Sequence, residues 1–252
     1  MRHFVLAFLG TAAFSIGAAQ FAIAADMPVK APVYKAPVAA PLFNWTGLYL
    51  GIEGGGAWGS AQTISADSTF NPGVPITDKF NVSGALFGGT IGYNWQTSNW
   101  VFGLEGDISW VNKTGTVNDI PPFDVAFTNT ATEHWLGTGR VRLGMTPADK
   151  WLVYATGGFA VAGVEDTVDT ITAGAYSDTQ TRWGWTAGGG VEVAITQNLS
   201  IKAEYLFVDL QDATYFNPQI PTGAGPVLTR TLTLNDNIVR AGLNFRLGGG
   251  MY

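Results

Sequence analysis

Residues 100–110 read WVFGLEGDISW. Their even positions, Trp100, Phe102, Leu104, Gly106, Ile108 and Trp110, are apolar, and their odd positions, Val101, Gly103, Glu105, Asp107 and Ser109, include two acids. Alternation with period two is the pattern of a strand. An ionised carboxylate is costly to bury in apolar surroundings, so Glu105 and Asp107 call for a polar interior. The opposite face calls for a medium that is apolar in its middle and interfacial at both ends, where the tryptophans stand. About ten residues at 3.3 Å each, tilted by about 40°, rise about 25 Å, the height of the apolar band on a transmembrane barrel with its aromatic girdles.

Outward from this stretch the same alternation recurs in eight runs, about 45–58, 84–95, 99–110, 134–145, 151–164, 183–195, 199–209 and 237–247. The connections after the first, third, fifth and seventh runs (59–83, 111–133, 165–182 and 210–236) are long, polar and rich in Gly, Pro, Asp and Thr. Those after the second, fourth and sixth are a few residues only, around Thr97-Ser98, Pro147-Ala148-Asp149 and Gln197-Asn198. Long and short loops therefore segregate to opposite ends, and the fold class is all-β, an eight-stranded antiparallel up-and-down transmembrane β-barrel. A soluble lipocalin-like barrel is the competing fold; it would place the apolar parity inside and the charges outside.

Tryptophans define the two interfaces. Trp95, Trp100 and Trp151 fall beside short turns, and Trp58, Trp110, Trp135, Trp183 and Trp185 beside long loops, all on the apolar parity of their strands; Trp45 is the exception. Such aromatic belts mark membrane boundaries. The opposite parity carries Glu53, Glu105, Asp107, Glu192 and Glu204 against Arg140, Arg142, Lys202, Arg240 and Arg246. An eight-stranded lumen is just wide enough to be filled by side chains, so these ten groups are expected to form a balanced structural network. Glycines such as Gly88, Gly92, Gly158, Gly188 and Gly190 are expected to leave room for the long side chains in it.

The first residues have a charge at Arg2, an apolar stretch from Phe4 to Ile16 and the small-residue pattern Ala22-Ile23-Ala24. That is a secretory signal peptide over 1–24; a retained membrane helix is the alternative. Residues 25–43, with Pro28, Pro32, Pro37 and Pro41, read as a periplasmic tether, and 44–252 as the barrel. Charged residues are only 13% of the chain and glycines number 33, which excludes a disordered chain and disfavours a helical one. A net charge of −6 without a basic cluster argues against nucleic acid as a partner, and the absence of cysteine removes disulfides and thiol chemistry.

NWTGLYLG (44–51), GYNWQ (92–96), RVRLG (140–144), WLVYATGG (151–158) and AEYLFVDL (203–210) resemble small outer-membrane proteins of Gram-negative bacteria. The match is to the "outer membrane immunogenic protein" group of the porin-like β-barrel superfamily, which shares the architecture of the OmpA membrane domain. Arg240, Gly242, Phe245 and Leu247 in the last run look like the insertion signal read by barrel assembly machinery, with Phe245 and Tyr252 both candidates for the terminal aromatic. The resemblance implies a surface protein with a role in envelope integrity, without a catalytic set or cofactor. Its expected surroundings are outer-membrane lipid, lipopolysaccharide and the assembly machinery, with peptidoglycan and external loop ligands as further candidates.

Three functions are compatible with this reading. They are a structural and surface-interaction barrel, a passive small-solute pore, and an outer-membrane enzyme acting on lipid or peptide. An enzyme would need a nucleophile and a base near the outer rim. His134, the one histidine after processing, stands there, but a solvated interface role is the simpler account of it. Asp166, Asp169 and Asp178 read as solvated loop acids, since no Asp-x-Asp-x-Asp-Gly spacing appears. Asp67, Asp119, Asp169 and Asp212, one from each long connection, are expected to be reachable from outside the cell.

Overall fold

The structure, a computed structural model, describes residues 43–66, 72–170, 174–216 and 229–247. The expected signal peptide, the tether up to residue 42, Asp67 and Tyr252 lie outside the described residues. Eight strands follow in order: β1 (Gly47–Ser65), β2 (Phe80–Thr97), β3 (Trp100–Asn118), β4 (Thr128–Ala148), β5 (Trp151–Thr170), β6 (Gly174–Ala194), β7 (Leu199–Phe216) and β8 (Thr229–Leu247). Each pairs antiparallel with the next, and β8 returns to β1, closing the barrel. The short turn from Thr97 to Trp100 is tight enough to hold Ser98 at a φ of 55°.

Outward chemistry follows the parity read from the sequence. Leu48, Leu50, Ile52, Phe87, Ile91, Leu104, Val141, Phe159, Ile201 and Leu243 are all exposed on the outer wall, as lipid-facing side chains must be. At one end of this band Trp95, Trp100 and Trp151 are about half exposed, at 47%, 48% and 48%. At the other end stand Trp58, Trp183, Trp185 and Trp110, the last at 81% exposure. Trp135 also faces out, opposite Trp110, but is half-buried over Gly163.

The strands do not stop at the outer girdle. β3 runs eight residues past Trp110, to Asn118, and β4 begins at Thr128, seven before Trp135. The expected long connections therefore shrink to 66–79, 119–127, 171–173 and 217–228. Eight further residues at about 3.3 Å, tilted by about 40°, raise a collar about 20 Å above the girdle. In this collar the parity has the opposite meaning. Threonines face out and meet across strands, as in Thr114–Thr132 at 3.4 Å, Thr116–Thr130 at 3.1 Å and Thr214–Thr231 at 3.4 Å. Apolar residues face in, among them Val82, Val111, Ala131, Val164, Leu210, Leu232 and Leu234 in one buried cluster. Each strand is thus a membrane strand below and a soluble-barrel strand above.

Two irregularities accompany the change. At His134 the pairing of β4 shifts against both neighbours, so that His134 and Trp135 both lie on the outer surface. A second shift lies in β7 between Leu210 and Ala213. Such bulges re-aim side chains while the ladder continues.

The inward glycines divide by cause. A Cβ on Gly92 would lie 2.3 Å from the Tyr49 hydroxyl, so this glycine makes room for a long side chain; one on Gly190 would lie 2.6 Å from both the Tyr154 hydroxyl and the Ala203 carbonyl, so both causes act there. A Cβ on Gly88, Gly158 or Gly188 would instead strike a backbone carbonyl of the adjacent strand, at 2.3, 2.0 and 2.0 Å. At those three positions the strands themselves approach too closely for a side chain.

Candidate functional site: the filled lumen and the collar

Inside the membrane band, register brings the charges together. Glu105 lies directly across from Arg140, and Glu204 across from Arg240. Arg140 reaches Glu105, Asp107 (2.8 Å) and Glu204 (2.9 Å), and also donates from Nε to the Thr138 hydroxyl at 2.9 Å. Arg240 reaches Glu53, Asp107 (3.1 Å) and Glu204 (2.6 Å). Two guanidinium groups thus share Asp107 and Glu204 in one buried lattice, and neither charge sign is left unpaired, which would cost several kcal/mol.

The network extends towards the short-turn end through Arg142. Its Nη2 meets Glu192 at 2.8 Å, its Nη1 meets Glu105 at 3.2 Å, and its Cζ stacks 3.8 Å from the centre of the Tyr154 ring. Tyr49 links the two sides: its hydroxyl accepts from Arg142 at 2.7 Å and donates to Glu105 at 2.6 Å. Ser200 and the Asn244 amide donate to Glu192 at 2.6 and 2.9 Å. Lys202, although its register partner is Glu192, reaches Glu53 at 2.9 Å and Glu105 at 3.5 Å. It crosses over Gly242, where a Cβ would stand 3.0 Å from the lysine Cε. Gly242, expected as part of an insertion signal, therefore has a lumen role as well. Phe245 and Leu247 of that signal face lipid, and Arg240 does not.

Arg246 departs from the expected network. It is buried, but it forms no ion pair with the five acids; its Cζ lies 4.3 Å from the Phe43 ring centre and 5.5 Å from that of Trp45, and it donates to the Asn44 carbonyl. The residues before β1 turn inward to form a floor, with Phe43, Trp45, Val101, Leu152, Tyr154 and Ala194 in one apolar cluster. Phe43 N donates to Asp149 Oδ1 and Trp45 N to Gln96 Oε1, both at 2.7 Å, fixing the floor to two short turns. This explains why Trp45 breaks the parity of the other eight tryptophans: it is a plug and not a girdle residue. The lattice consequently sets four bases, Arg140, Arg142, Lys202 and Arg240, against five acids.

A second set of buried charges lies in the collar. Lys113 stands 2.5 Å from Glu133 and in contact with Asp236. Arg230 meets Asp119 at 3.4 Å and also donates to Asn129, whose amide donates to Asp119. Asp119 is therefore buried and not a reachable loop acid, and Asp166 is a buried strand residue; Asp169 and Asp212 are exposed as expected. Two acids share the single ammonium of Lys113, and burial, assisted by Asp236, raises the Glu133 carboxyl to about 7 against the pull of Lys113. Burial likewise raises Asp166 to about 6.

These raised values set a pH dependence. An acid whose folded pKa exceeds its unfolded value binds more protons when folded, so its contribution destabilises as pH rises through that window. Barrel melting temperature is expected to rise as pH falls from about 8 to 5, and Glu133→Gln should flatten part of that rise. Melting curves that fall on acidification over this range, or an unchanged slope in the variant, would contradict the assignment.

At the outer rim His134 Nε2 and Glu165 Oε2 pair at 2.8 Å in a half-exposed position, and this hydrogen bond holds the Glu165 carboxyl below its ordinary value. The structure places no serine, threonine or lysine nucleophile on the His134 ring among the described contacts. Sequence reasoning missed Tyr49, Tyr154 and the whole collar set; a signal for the latter was the alternation of Lys113, Gly115 and Val117 against Thr114 and Thr116 beyond the girdle.

Comparison with known proteins agrees with this architecture. The chain is 38% identical over 198 residues to a "31 kDa outer-membrane immunogenic protein" of Brucella melitensis, covering 75% of this chain and 81% of that one. It is 31% identical over 186 residues to a "22 kDa outer membrane protein" of Rhizobium leguminosarum, covering 72% and 71%. Among solved structures, the outer membrane protein OprG from Pseudomonas aeruginosa superposes with a TM-score of 0.53 at 13% identity, over 81% of this chain and 99% of that one, a likeness of fold. Residues 36–246 match the family model described as "Outer membrane protein beta-barrel domain". The chain, with its lipid-facing wall, two aromatic girdles and closed ring of eight strands, belongs to that family of outer-membrane proteins.

Proposed function

We propose that this outer-membrane barrel neither conducts solutes nor catalyses a reaction, and that it serves as a structural element presenting a rigid collar as an interaction surface outside the cell. The observation that carries this reading is the continuous filling of the lumen. An apolar floor, a charge lattice, an apolar layer and a second charged layer succeed one another along its height. A conducting path would have to break several buried ion pairs at once, each costing several kcal/mol. Hydroxyls reach the His134–Glu165 pair only on its carboxylate side, where Thr167 Oγ1 donates to Glu165 at 3.3 Å; among the described residues none stands on the imidazole, which would have to act as the base of a nucleophile. Surrounding lipid and lipopolysaccharide are the proposed neighbours of the wall and collar, peptidoglycan that of the opposite end, and assembly machinery the reader of the Arg240–Leu247 strand.

Two measurements test the reading together. The refolded protein in planar bilayers is expected to give no unitary current steps, and reproducible steps from the wild type would establish a pore instead. On intact cells, Asp124→Cys, Asp169→Cys and Asp212→Cys should react with an impermeant thiol reagent and Asp119→Cys should be protected; labelling confined to Asp119→Cys would contradict both topology and collar.

A further inference from the structure

At and above the outer girdle the two halves of the barrel's outer surface differ in charge. On β5, β6 and β7 it carries Glu165, Asp169, Asp209 and Asp212. On β2, β3 and β4 the outward positions of the collar hold only Asn, Ser, Thr and Ala, from Asn81 and Ser83 through Asn112 and Thr114 to Thr130 and Thr132. The charges of those three strands, Lys113 and Glu133, point into the collar and pair there. One half of the perimeter is thus acidic, and the other is a neutral plate of amides and hydroxyls.

Trp110 stands at the foot of the neutral plate. On the acidic half Trp183 leans towards Phe159 and Trp185 towards Phe207, with ring centres 6.4 and 5.5 Å apart. Trp110 instead stands clear of the wall at 81% exposure, against 59% for Trp183. Its partner across the ladder, Trp135, turns the other way, over Gly163. Between the rungs Trp110–Trp135 and Lys113–Glu133, β3 has two residues and β4 has one, and of these Asn112 and His134 face out. Glu165 holds Nε2 of His134, and Nδ1 is the ring's other hydrogen-bonding atom.

Beneath these polar groups a groove of about 600 Å³ runs into the membrane band between Ile52, Phe87, Ile108, Trp110 and Trp135, with His134 at its upper end. That is the size of a small-molecule site. Gly89 forms part of its floor, and a Cβ there would meet only the Gly51 carbonyl, at 3.6 Å. The space above Gly89 is therefore free, and close approach of the strands does not demand the glycine. Hydrocarbon and headgroup layer meet at this height, and the protein offers an apolar concavity to the first and amide, hydroxyl and imidazole groups to the second. On these strands the exposed base, Lys79, precedes β2 at the outer end of the collar, away from the groove.

We propose that Trp110, Asn112 and His134, with the groove below them, form a binding site for one glycolipid of the outer leaflet, which lays an acyl chain over Gly89 and stacks its first sugar on Trp110. A sugar ring has an apolar C–H face that an indole can cover. Its hydroxyls both donate and accept, as the Asn112 amide and the His134 ring require. The neutral plate selects for the sugar and not for a phosphate, and the acids on β5, β6 and β7 disfavour an anionic headgroup on the other half of the perimeter. The inference deepens the surface-interaction reading above and rests on it.

The test uses the full chain refolded in phosphocholine micelles and three probes: lipid A, lipid A freed of its phosphates, and phosphatidylglycerol. Native mass spectrometry counts the lipid retained as each probe is titrated. Retention of a single glycolipid is expected, with the two forms of lipid A within about threefold of each other and phosphatidylglycerol weaker by about tenfold or more. Gly89→Leu, which fills the groove, and Trp110→Ala, which removes the platform, should each weaken retention about tenfold. Ala187→Leu and Trp183→Ala make the same changes on the wall of β6 and should alter it less than about twofold. Heat-modifiable gel mobility checks that all four variants are folded. Equal effects of the paired variants would mean a general lipid shell and would overturn the proposal. So would loss of binding on removal of the phosphates, equal retention of phosphatidylglycerol, or a protein dimer that Gly89→Leu dissociates, because a phosphate, any acyl chain or a second copy of this chain would then be the occupant. No retained glycolipid together with a silent bilayer recording would sink the site and leave the non-conducting barrel standing.

Discussion

Arg140→Ala is expected to lower the free energy of unfolding of the barrel in lipid vesicles by about 3–5 kcal/mol, the range for breaking a buried ion pair from one side. Arg140 contacts Glu105, Asp107 and Glu204, and all four side chains are closed to solvent. Truncation leaves the lattice with three bases against five carboxylates, in a space that water can enter only by disrupting packing. Glu105→Ala alone should cost about 3 kcal/mol by the same mechanism. The double variant should cost clearly less than the sum, because the second change removes a charge that the first had orphaned. Urea titrations followed by tryptophan fluorescence give these values, and strict additivity would show that the two residues do not share an ion pair.

Leu104→Arg is expected to destabilise by about 2–4 kcal/mol through the lipid and not through a partner. Leu104 is the outward neighbour of Glu105, is 53% exposed, and stands between Tyr93 of β2 and Val141 of β4. An arginine there meets hydrocarbon near the middle of the band, where a charge is most costly. Thr130→Arg, on the outer face of the collar, should change stability by less than about 0.5 kcal/mol, as most exposed substitutions do. Adding Arg140→Ala to Leu104→Arg should rescue nothing. A tolerated Leu104→Arg would remove the lipid from that face.

The two substitutions differ in how far sequence could foresee them. Strand order, the lipid-facing parity and the girdles follow from an alternation that needs no partner to be recognised, because the membrane acts on each strand separately. The partner of Glu105 depends on register, and register depends on shear, which no single strand encodes. Arg140 lies across from Glu105, yet Lys202 passes over its register partner to meet Glu53, and Arg246 leaves the acids to stack on Phe43 and Trp45. Those choices were decided by Gly242 and by the inward turn of residues before β1, features that only closure of the barrel brings together.

The collar was hidden for a different reason. Its strands alternate as regularly as those below, but the medium outside changes from hydrocarbon to water at the girdle, so the same parity changes meaning. Threonine-rich text with a buried Lys113 and Asp119 then reads as a polar loop. Bulges at His134 and after Leu210 add one residue to a count that sequence alone treats as unbroken.

That reversal fixes the vertical position of the protein. Within four residues of Trp110 and three of Trp135 the outer surface passes from Ile108 to Thr114 and Thr132, so a rise or fall of one pleat would either drown hydroxyls in hydrocarbon or lift bare isoleucine into water. In a bilayer of different thickness a helix can lean, whereas a lean of this wall would sink hydroxyls into hydrocarbon on one side and lift apolar side chains into water on the other. The lipid has to thin or thicken around it, and the barrel acts as a gauge that sets the local depth of the membrane in which it stands.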